Sequence, residues 1–561
     1  MNRILLIFAF CCSIYFLEIN RSYAQEIQQI KVDLSKPIGP MKPIWSYFGY
    51  DEPNFTTRKD GSKLLTELSQ LSREPLYVRT HNLLTTGDGT PALKWGSTNV
   101  YTEDENGKPV YSWKIVDSIF DAFVKRGMKP IAEIGFMPKA LSVKPEPYQH
   151  HWSPAAKYNE IYTGWAYPPK DYNKWRELVY QWVKHCVERY GAEEVKSWWW
   201  EVWNEPDIGY WQGTQEEYLK LYDFAADGLK RALPQARIGG PTTTSPRSGK
   251  ANNYLKRFLQ HCDTGVNYAT GRKGVPVDYI TFHAKGNPKF INDHVRMDMS
   301  VQLQDVYNGF KTVAASPFKN LPVMIGECDP EGCAACSVNY NPQNAYRNGT
   351  MYSSYTAASY SRLYDLAQQA GVNLIGAVSW SFEFEDQPWF AGFRDLATNG
   401  VDKPVLNVFR LFGKMQGSRL KVENSKEIPL QSLLTKGVHD SLQDVHAIAS
   451  VSEKKASVML WNYYDDDLPG TPTAVQLVIS NIPSKKVTIK EYRIDQEHSN
   501  SYTVWKQMGS PQQVSSEQYR KLEDAGKLKQ INGQKLKLKT SEVARRVVLP
   551  RQAVTLLEIT W

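Results

Sequence analysis

The chain has 561 residues, 42% of them hydrophobic, so its length and composition allow more than one domain and a large apolar core. The net charge of +8 arises from 67 basic and 59 acidic residues without a dense lysine or arginine block, which argues against a nucleic acid partner. Aromatic residues reach 12%, a content that suits sugar binding as well as large cores.

The N-terminus has the pattern of a secretory signal peptide. Residues 4–17 form an apolar run that is too short to span a membrane comfortably, and Ser22 and Ala24 place small residues at the two positions that a signal peptidase reads before a cut after Ala24. We therefore predict a signal peptide over 1–24 and a secreted or periplasmic protein. The alternative is a membrane anchor or a lipid attached at Cys11 or Cys12. No later stretch is apolar enough to span a bilayer.

Between residues 40 and 415, eight short apolar runs alternate with amphipathic segments such as 114–127 and 172–191, whose apolar residues recur near a helical period. The runs are IWSYFGY (44–50), LYVRTHN (76–82), KPIAEIG (129–135), WWWEVWNE (198–205), ARIGGPTT (236–243), VDYITFHA (277–284), PVMIGE (322–327) and GAVSWSF (376–382). Eight such units predict an α/β fold, a (β/α)8 TIM barrel over residues 25–415. A doubly wound sheet would need an early glycine-rich phosphate loop, and none follows the first runs.

From residue 416 onward the pattern changes to strands without regular helices between them. Examples are residues 456–464, 474–482 and 486–494, which turn residues separate. We predict a β-sandwich domain over 416–561, with one helix-like stretch, SSEQYRKLEDAGKL, attached to it. The strand-like segment QEIQQIKVDLS, directly after the signal, could pair with this sandwich.

Five cysteines remain after the signal, three of them in the sequence ECDPEGCAAC. This cluster lacks a nearby histidine and a second cysteine pair, which a metal site would need. We predict a disulfide or free thiols there, since an exported protein can hold disulfides. Because the number is odd, at least one thiol must stay unpaired.

Several of the eight runs end in polar or ionisable residues. These are His81, Glu133, Glu205, His283 and Glu327. In a barrel, the carboxyl ends of all strands meet on one face, which is where active sites of such barrels lie. The sequence therefore predicts that these side chains converge on one site.

Glu205 ends the aromatic-rich stretch WWWEVWNEPDIGYW (198–211). A carboxyl group that aromatic side chains shield from water keeps its proton more readily and can protonate a leaving oxygen at neutral pH. Pro206 predicts an extended backbone at Glu205, and the amide of Asn204 can hydrogen-bond a neighbouring hydroxyl. An isolated glutamate in this position would more often be a structural acid.

A second carboxylate, Glu327, favours a catalytic role for Glu205 over a structural one. It ends the seventh run, and a barrel places its fourth and seventh strands on opposite sides of the mouth. Two carboxyl groups about 5–5.5 Å apart hydrolyse a glycoside with retention, one as proton donor and the other as nucleophile. The nucleophile must stay ionised, and Arg79 in the second run is the candidate cation beside it.

The stretches YVRTHNLLT, WEVWNEPD and HCDTGVNYATGRKGVPVDYITFHAKG resemble glycoside hydrolase family 39, which contains β-xylosidases and α-L-iduronidases. The resemblance covers nearly all of residues 40–415, and the trailing sandwich is similar too. It implies a retaining exo-glycosidase with Glu205 as acid/base and Glu327 as nucleophile. A carbohydrate is then the partner, as an oligosaccharide or a glycoside. No metal or organic cofactor is implied, because hydrolysis by two carboxylates needs neither.

The resemblance also implies residues that bind the sugar. Asn204 matches the residue that holds the hydroxyl next to the anomeric carbon. His81 and His283 match strand-end histidines that line the sugar subsite, and Trp380 matches an aromatic floor under the sugar. From the residues alone, each histidine could equally be a satisfied core residue.

Two features of the resemblance indicate different sugars. FHAKG resembles the iduronidase stretch in which a lysine contacts the sugar carboxylate, so Lys285 favours a uronic acid, and Asp386 with Arg394 could complete a carboxylate clamp. The region 380–413 instead resembles the β-xylosidases. We favour a β-xylosidase over an α-L-iduronidase or another uronate-removing glycosidase. A carbohydrate-binding protein without turnover is the alternative of another class, although both acids are present.

Overall fold

The computed structural model describes residues 27–440 and 442–561. The predicted signal peptide over 1–24 lies outside the described residues. Within the described part, none of the helices combines the length and the apolar character that crossing a membrane requires.

The strands divide into a parallel set in the first part of the chain, a mostly antiparallel set in the second, and short hairpins between them. In chain order they are β1 (Gln28–Pro40), β2 (Tyr47–Tyr50), β3 (Tyr77–Thr80), β4 (Tyr101–Glu103), β5 (Pro109–Tyr111), β6 (Lys129–Ile134), β7 (Trp199–Val202), β8 (Arg237–Thr243), β9 (Tyr279–Lys285), β10 (Lys289–Ile291), β11 (His294–Arg296), β12 (Pro322–Asp329), β13 (Asn373–Ala377), β14 (Ala397–Thr398), β15 (Val401–Asp402), β16 (Ser418–Asn424), β17 (Asp444–Ser452), β18 (Lys455–Tyr463), β19 (Thr473–Ser480), β20 (Lys486–Ile494), β21 (Lys529–Lys537), β22 (Val543–Leu549) and β23 (Val554–Thr560).

Most of the α-helices follow strands of the parallel set. In chain order they are α1 (Lys59–Ser69), α2 (Lys114–Val124), α3 (Tyr172–Tyr190), α4 (Ala192–Lys196), α5 (Gln215–Ala232), α6 (Gly249–Thr264), α7 (Met299–Ala314), α8 (Thr350–Ala370), α9 (Pro404–Gly413), α10 (Leu430–Lys436), α11 (Ser501–Gln507) and α12 (Ser516–Gly526).

Eight parallel strands form a closed barrel in the order β2-β3-β6-β7-β8-β9-β12-β13. The last strand returns to the first, because Gly49 N–H donates to the Ser379 carbonyl and Ser379 N–H donates to the Tyr47 carbonyl, both at 2.9 Å. Each of the eight predicted runs overlaps one of these strands, so the predicted (β/α)8 barrel is confirmed.

Local sequence sets the ends of the barrel helices. The Asp171 side chain accepts the first free N–H groups of α3, and Thr214 forms a capping box with Glu217 at the start of α5. Gly371 ends α8 in the left-handed region at φ 67°. These caps fix where each helix ends and the chain turns toward the next strand.

The C-terminal strands form a nine-stranded sheet in the order β21-β20-β23-β18-β17-β16-β1-β19-β22. Apolar side chains from distant members of this sheet, such as Ile30, Val458 and Val475, share one buried core, so the sheet curls over itself as a sandwich. The N-terminal strand β1 lies inside it, antiparallel to β16 and parallel to β19.

The sandwich is fixed to the barrel by a buried contact. Trp461 and Met459 on its outer face belong to the same apolar core as the barrel helices. In that contact, Arg362 of α8 donates to Asp444 of β17 at 2.7 Å, and both side chains are buried. The two parts of the molecule therefore share one core instead of meeting across a wet interface.

A helical insertion, α11 with α12, lies between strands β20 and β21 of the sandwich. The predicted helix-like stretch corresponds to α12, while α11 has no counterpart in the predicted elements. Trp505 and Leu522 of the insertion form a small buried cluster with Phe390 and Val401 of the barrel. The insertion therefore lies against the loops that follow the eighth barrel strand.

Candidate active site

The carboxyl ends of the barrel strands open into a pocket of about 430 Å³. Its lining includes six of the eight residues that the sequence predicts for the site, namely His81, Asn204, Glu205, Lys285, Glu327 and Trp380. It also includes residues that sequence reasoning did not select, among them Asp51, Lys94, Tyr158, Tyr162, Tyr210 and Glu331.

Glu205 and Glu327 converge in this pocket although they are 122 positions apart in the chain. Glu205 follows β7, Glu327 lies within β12, and one carboxylate oxygen of each lies within 4.8 Å of the other. An inverting glycosidase needs about 6.5–9.5 Å between its carboxyl groups to admit a water, whereas a retaining one needs about 5–5.5 Å. The observed spacing therefore suits direct attack by one carboxylate.

The backbone at Glu205 differs from the extended form that Pro206 predicts. Its φ is 43°, in the left-handed region that a non-glycine residue before proline rarely adopts. Glu205 N–H donates to the Thr242 carbonyl at 3.0 Å, and the Glu205 carbonyl accepts from Ile208 N–H at 3.2 Å. These tertiary hydrogen bonds override the local preference, so the prediction of an extended Glu205 is wrong.

Glu327 lies among positively charged groups. Lys285 Nζ is 2.6 Å from its Oε2, and Arg79 Nη1 is 3.3 Å from its Oε1. Burial alone would raise the pKa of Glu327, but the surrounding positive charges, Lys285 foremost, outweigh it and hold that pKa well below its ordinary value. The surrounding charges therefore favour the ionised form of Glu327.

Arg79 lies beneath the pocket and holds several site residues in place. Its guanidinium, which is fully buried, donates to Glu133 at 2.9 Å, to Asn204 Oδ1 at 3.1 Å and to Glu201. Burial raises the pKa of Glu133 well above its ordinary value, and the charge of Arg79 beside it opposes that shift. Because Arg79 engages the amide oxygen of Asn204, the NH2 group is left to face the pocket.

His283 has a fully buried side chain that contacts the carboxylates. Its Nδ1 is 2.8 Å from Glu205 Oε1 and 3.8 Å from Glu327 Oε1. The resemblance implies a sugar contact for His283, but its side chain lies below the pocket surface and contacts the two carboxylates instead. Arg79, predicted as the cation beside Glu327, lies in the same layer and does contact Glu327.

His81 is positioned by a carboxylate and a lysine from loops that the sequence did not connect with it. Its Nδ1 lies 2.7 Å from Asp51, whose other oxygen accepts from Lys94 Nζ at 3.1 Å. Burial lowers the pKa of His81, and because Arg79 beside its Nε2 can only donate, the imidazole donates Nδ1–H to Asp51. Its Nε2 then accepts from Arg79 Nη1 at 3.0 Å.

Lys94 itself lines the pocket with a nearly buried ammonium group. Its Nζ lies 5.0 Å from the centre of the Tyr158 ring and 5.9 Å from that of Trp152. The backbone of Lys94 is also held, because its N–H donates to Glu52 and His150 Nε2 lies 2.9 Å from its carbonyl oxygen. No strand-end pattern marks this lysine, since it lies in the long loop between β3 and β4.

Trp380 forms one wall of the pocket. Its ring centre lies 4.3 Å from that of His81, and Asp329 accepts its backbone N–H at 2.9 Å. A Cβ atom at Gly49 of β2 would lie 2.4 Å from the Trp380 ring, so only glycine at that position lets the indole take its place.

The tryptophans that make the run 198–211 conspicuous serve the core. Trp198, Trp200 and Trp203 are fully buried, and Trp203 packs edge-on against Trp211. The wall around Glu205 is lined by tyrosines, Tyr158 and Tyr162 from the loop before α3 and Tyr210 from the end of the run itself. The tryptophans of the run thus reflect barrel packing, and the aromatic lining of the site comes from loops.

Lys285 is fully paired, and the suggested carboxylate clamp does not form. Its ammonium contacts Asp329 at 2.9 Å as well as Glu327, so it already has two anions. Arg394 is buried against Glu331 and the Trp380 carbonyl, whereas the side chain of Asp386 is 83% exposed. The idea that Asp386 and Arg394 form a clamp is therefore wrong, because Arg394 is held by buried partners while Asp386 faces solvent.

A disulfide joins Cys333 to Cys336 on the loop that follows β12, with Cα atoms 5.5 Å apart. The predicted disulfide or thiol character of ECDPEGCAAC is thus confirmed. Cys186, Cys262 and Cys328 are buried and have no disulfide partner among the described residues. Both bridged cysteines line the pocket, so the disulfide shapes its rim.

Glu205, His283 and Glu327 also satisfy the spacing of a metal site, since one potential ligand atom of each lies within 4.8 Å of the others. Their surroundings fit that chemistry poorly. The charges of Lys285 and Arg79 beside Glu327 would repel a cation, and His283 Nδ1 already faces Glu205. The arrangement suits proton transfer and nucleophilic attack better than metal binding.

Comparison with known proteins identifies the family of this site. The family model described as "Glycosyl hydrolases family 39" matches residues 28–540. The chain belongs to glycosyl hydrolase family 39. The match includes both the barrel and most of the sandwich, and this family 39 protein is a glycoside hydrolase.

Individual relatives of this family 39 enzyme carry two different activities in their names. The β-xylosidase of Geobacillus stearothermophilus is 28% identical over 496 residues, which is 86% of each chain. The α-L-iduronidase of Mus musculus is 24% identical over 541 residues, 90% of this chain and 77% of the relative.

Solved structures share its fold. A monomeric β-xylosidase from Caulobacter crescentus CB15 superposes with a TM-score of 0.72 at 21% identity, covering 95% of this chain and 99% of that one. A protein described as the bacterial orthologue of human α-L-iduronidase gives a TM-score of 0.76 at 19% identity, covering 96% and 84%. At these identities the likeness establishes the fold alone.

Proposed function

We propose that this family 39 enzyme is a retaining exo-β-xylosidase in which Glu205 is the acid/base and Glu327 the nucleophile. The observation that carries the proposal is the pair of carboxylates within 4.8 Å, of which Glu327 alone contacts Lys285 and Arg79. A nucleophile must be ionised, whereas an acid must hold a proton. The cations beside Glu327 favour its ionised form, so Glu327 suits the role of nucleophile and Glu205 that of acid.

The first step forms a covalent glycosyl-enzyme. Glu205 donates its proton to the glycosidic oxygen while a Glu327 oxygen bonds to the anomeric carbon, and the leaving group departs as an alcohol. His283, 2.8 Å from Glu205 Oε1, holds that carboxyl group toward the bond. In the second step Glu205 takes a proton from water, whose oxygen attacks the anomeric carbon and releases Glu327.

Other pocket residues would bind and orient the sugar. The Asn204 NH2 group is free to donate to the hydroxyl beside the anomeric carbon, since its amide oxygen accepts from Arg79. Trp380 offers an apolar face to the ring, and His81, held by Asp51, contacts both the indole and Glu327. These roles follow from position in the pocket and are testable one residue at a time.

Xylose is favoured over a uronic acid because the cations that line the pocket already have anionic partners. Lys285 contacts Glu327 and Asp329, and Lys94 contacts Asp51. A buried ammonium that is already paired gains little from a substrate carboxylate. The β-xylosidase relatives, 28% and 25% identical over 86% and 90% of this chain, support the same choice.

An α-L-iduronidase is the second candidate. Two lysine side chains, Lys94 and Lys285, line one small pocket, which is a concentration of positive charge that a uronate could use. The mouse α-L-iduronidase also resembles 90% of this chain. A carboxylate would have to compete with Asp51 or Asp329 for these ammonium groups.

The test is hydrolysis of 4-nitrophenyl β-D-xyloside and of a 4-methylumbelliferyl α-L-iduronide by the purified protein. We expect release from the xyloside, a far lower rate with the iduronide, and loss of activity in Glu205→Gln. Glu193→Gln, which alters a glutamate whose side chain is 89% exposed on α4, is the matched control and should keep wild-type activity. Equal nitrophenol release by Glu205→Gln would overturn the assignment, and no release from either substrate would favour a binding protein without turnover.

We also propose that the enzyme is exported, on the basis of the N-terminal sequence pattern alone. Expression in a Gram-negative host should give a mature protein that begins at Gln25, as measured by intact mass. A cytoplasmic product that keeps residues 1–24 would contradict export, and a lipid-modified cysteine would favour the anchored alternative.

A further inference from the structure

A second, larger groove of about 1060 Å³ lies on the same face of the barrel as the pocket. Its lining is rich in aromatic side chains, namely Tyr340, Trp389, Phe390, Phe393, Tyr502 and Trp505. The remainder is mostly amide and small residues, and among the described residues that line the groove only Asp386 carries a charge at neutral pH.

Three separate parts of the chain build this groove. The loop after β12 supplies Tyr340, the loop after β13 supplies Trp389, and the helical insertion of the sandwich supplies Trp505. The insertion is locked to the barrel, because Gln512 accepts from Trp389 N–H at 2.9 Å and donates to the Trp389 carbonyl at 3.2 Å. The groove is therefore preformed. The helical insertion contributes to the wall of the groove as well as to the sandwich.

One segment, residues 333–348, separates the groove from the catalytic pocket. Cys336 and Asn341 line the pocket, whereas Tyr340 and Asn348 line the groove. Arg347 stiffens the segment, because its guanidinium donates to the carbonyl oxygens of Cys336 at 2.8 Å and of Gly392 at 3.0 Å. The pocket and the groove therefore adjoin each other across this one segment.

We propose that the groove binds the sugar residues on the leaving-group side of an uncharged β-1,4-linked xylo-oligosaccharide whose terminal residue occupies the catalytic pocket. This inference rests on the proposed function and extends it to the length of the substrate. The C–H faces of pyranose rings stack on aromatic rings, and amide groups hydrogen-bond their hydroxyls. The nearly uncharged lining suits a neutral chain and gives an anionic polymer no cation to pair with.

Tyr340 is the most accessible aromatic residue of the groove, with 61% of its surface exposed. An exposed tyrosine at a rim contributes little to folding, so its removal tests binding rather than stability. Trp389 on the opposite loop is the second probe. Tyr307, 38% exposed on α7, is the matched control, because it is an exposed tyrosine of the barrel that does not line the groove.

The experiment compares kcat/KM for 4-nitrophenyl β-xyloside, xylobiose and xylohexaose in the wild type and in Tyr340→Ala, Trp389→Ala and Tyr307→Ala. We expect the wild type to prefer xylohexaose to xylobiose. Tyr340→Ala and Trp389→Ala should each lower kcat/KM for xylohexaose about three- to ten-fold through KM. Activity on the two short substrates should not change, and Tyr307→Ala should behave as wild type on all three.

Calorimetric titration of xylohexaose into Glu327→Gln and Glu327→Gln/Tyr340→Ala separates this proposal from the catalytic one. Weaker binding by the double variant supports the groove even if the hydrolysis assignment fails. Equal binding by the two proteins, no binding by either, or equal wild-type kcat/KM for xylobiose and xylohexaose would overturn the groove. Hydrolysis of the aryl xyloside in any of these cases would leave the proposed function standing.

Discussion

Lys285 lies between two carboxylates, with its Nζ 2.6 Å from Glu327 and 2.9 Å from Asp329. The sequence suggests this lysine as a partner for a substrate carboxylate, because a sheltered ammonium needs an anion. The structure supplies both anions from the protein itself. The contact makes Lys285 a residue that keeps the proposed nucleophile ionised, whichever sugar the pocket accepts.

Lys285→Met should move the acidic limb of the pH profile of kcat/KM. Removing the positive charge raises the pKa of Glu327, so this group takes up a proton at a higher pH as the solution is acidified, and activity is lost earlier. The measurement is kcat/KM for 4-nitrophenyl β-xyloside across the acid range. The exposed neighbour Lys289, changed to Met, should leave the limb in place. An acidic limb that does not move in Lys285→Met would show that Lys285 does not control Glu327.

Glu205→Ala should lose the proton donor while keeping the nucleophile. We expect kcat for an alkyl xyloside to fall about 10²- to 10⁴-fold, and less for an aryl xyloside whose leaving group needs no proton. Added azide should restore turnover of the aryl substrate, since a small anion can attack the covalent intermediate without a base. Equal losses on the two leaving groups, or no effect of azide, would contradict the acid/base role of Glu205.

The ion pair of Lys94 with Asp51 gives a stability prediction. Lys94→Met leaves the buried Asp51 carboxylate with the His81 imidazole as a hydrogen-bond partner but without the ammonium group, and breaking a buried pair in this way costs about 3–5 kcal/mol of unfolding free energy. Urea denaturation measures the change, and Lys94→Met/Asp51→Asn should recover part of it. Lys125, whose side chain is 73% exposed in its pair with Asp121, is the control, and Lys125→Met should leave the midpoint unchanged. Similar losses for both single variants would refute the argument from burial.

Gly49→Ala should disturb the pocket through Trp380. Because the new Cβ would lie 2.4 Å from the indole, the ring must shift or the barrel strands must separate, at a cost of about 1–3 kcal/mol. Activity should fall together with the melting temperature. Gly249, at the start of α6, has nothing within 4 Å of an added Cβ, so Gly249→Ala should keep or slightly raise stability. An unaffected Gly49→Ala would mean that Trp380 has room to move.

Sequence periodicity was sufficient for the barrel and for much of the site. Polar residues at the ends of parallel strands must meet on one face, so Glu205 and Glu327 could be placed together without coordinates. Strand alternation could also have predicted that the Glu201 side chain points into the barrel. Glu201 lies on the same face of β7 as Trp199 and is paired in register with Glu133 of β6. The tryptophans on both sides of Glu201 hid this alternation of inward and outward residues in the sequence.

The loop residues of the site were beyond such reasoning. Asp51 and Lys94 come from loops whose paths depend on tertiary contacts, and no local pattern links them to His81. The left-handed backbone of Glu205 opposes the preference set by Pro206 and is held by Thr242 on a neighbouring strand. At these positions, contacts between residues far apart in the chain determine the loop paths and the backbone conformation, which local sequence does not specify.

The central claim is that Glu327 forms the covalent bond to the sugar while Glu205 handles the proton. Incubation with 2,4-dinitrophenyl 2-deoxy-2-fluoro-β-xyloside traps such an intermediate, and mass spectrometry of the digested protein locates the label. We predict a fluoroxylosyl group on the peptide that contains PVMIGECDP, at Glu327. A label on Glu205, or steady hydrolysis of the reagent without any labelled glutamate, would contradict the account.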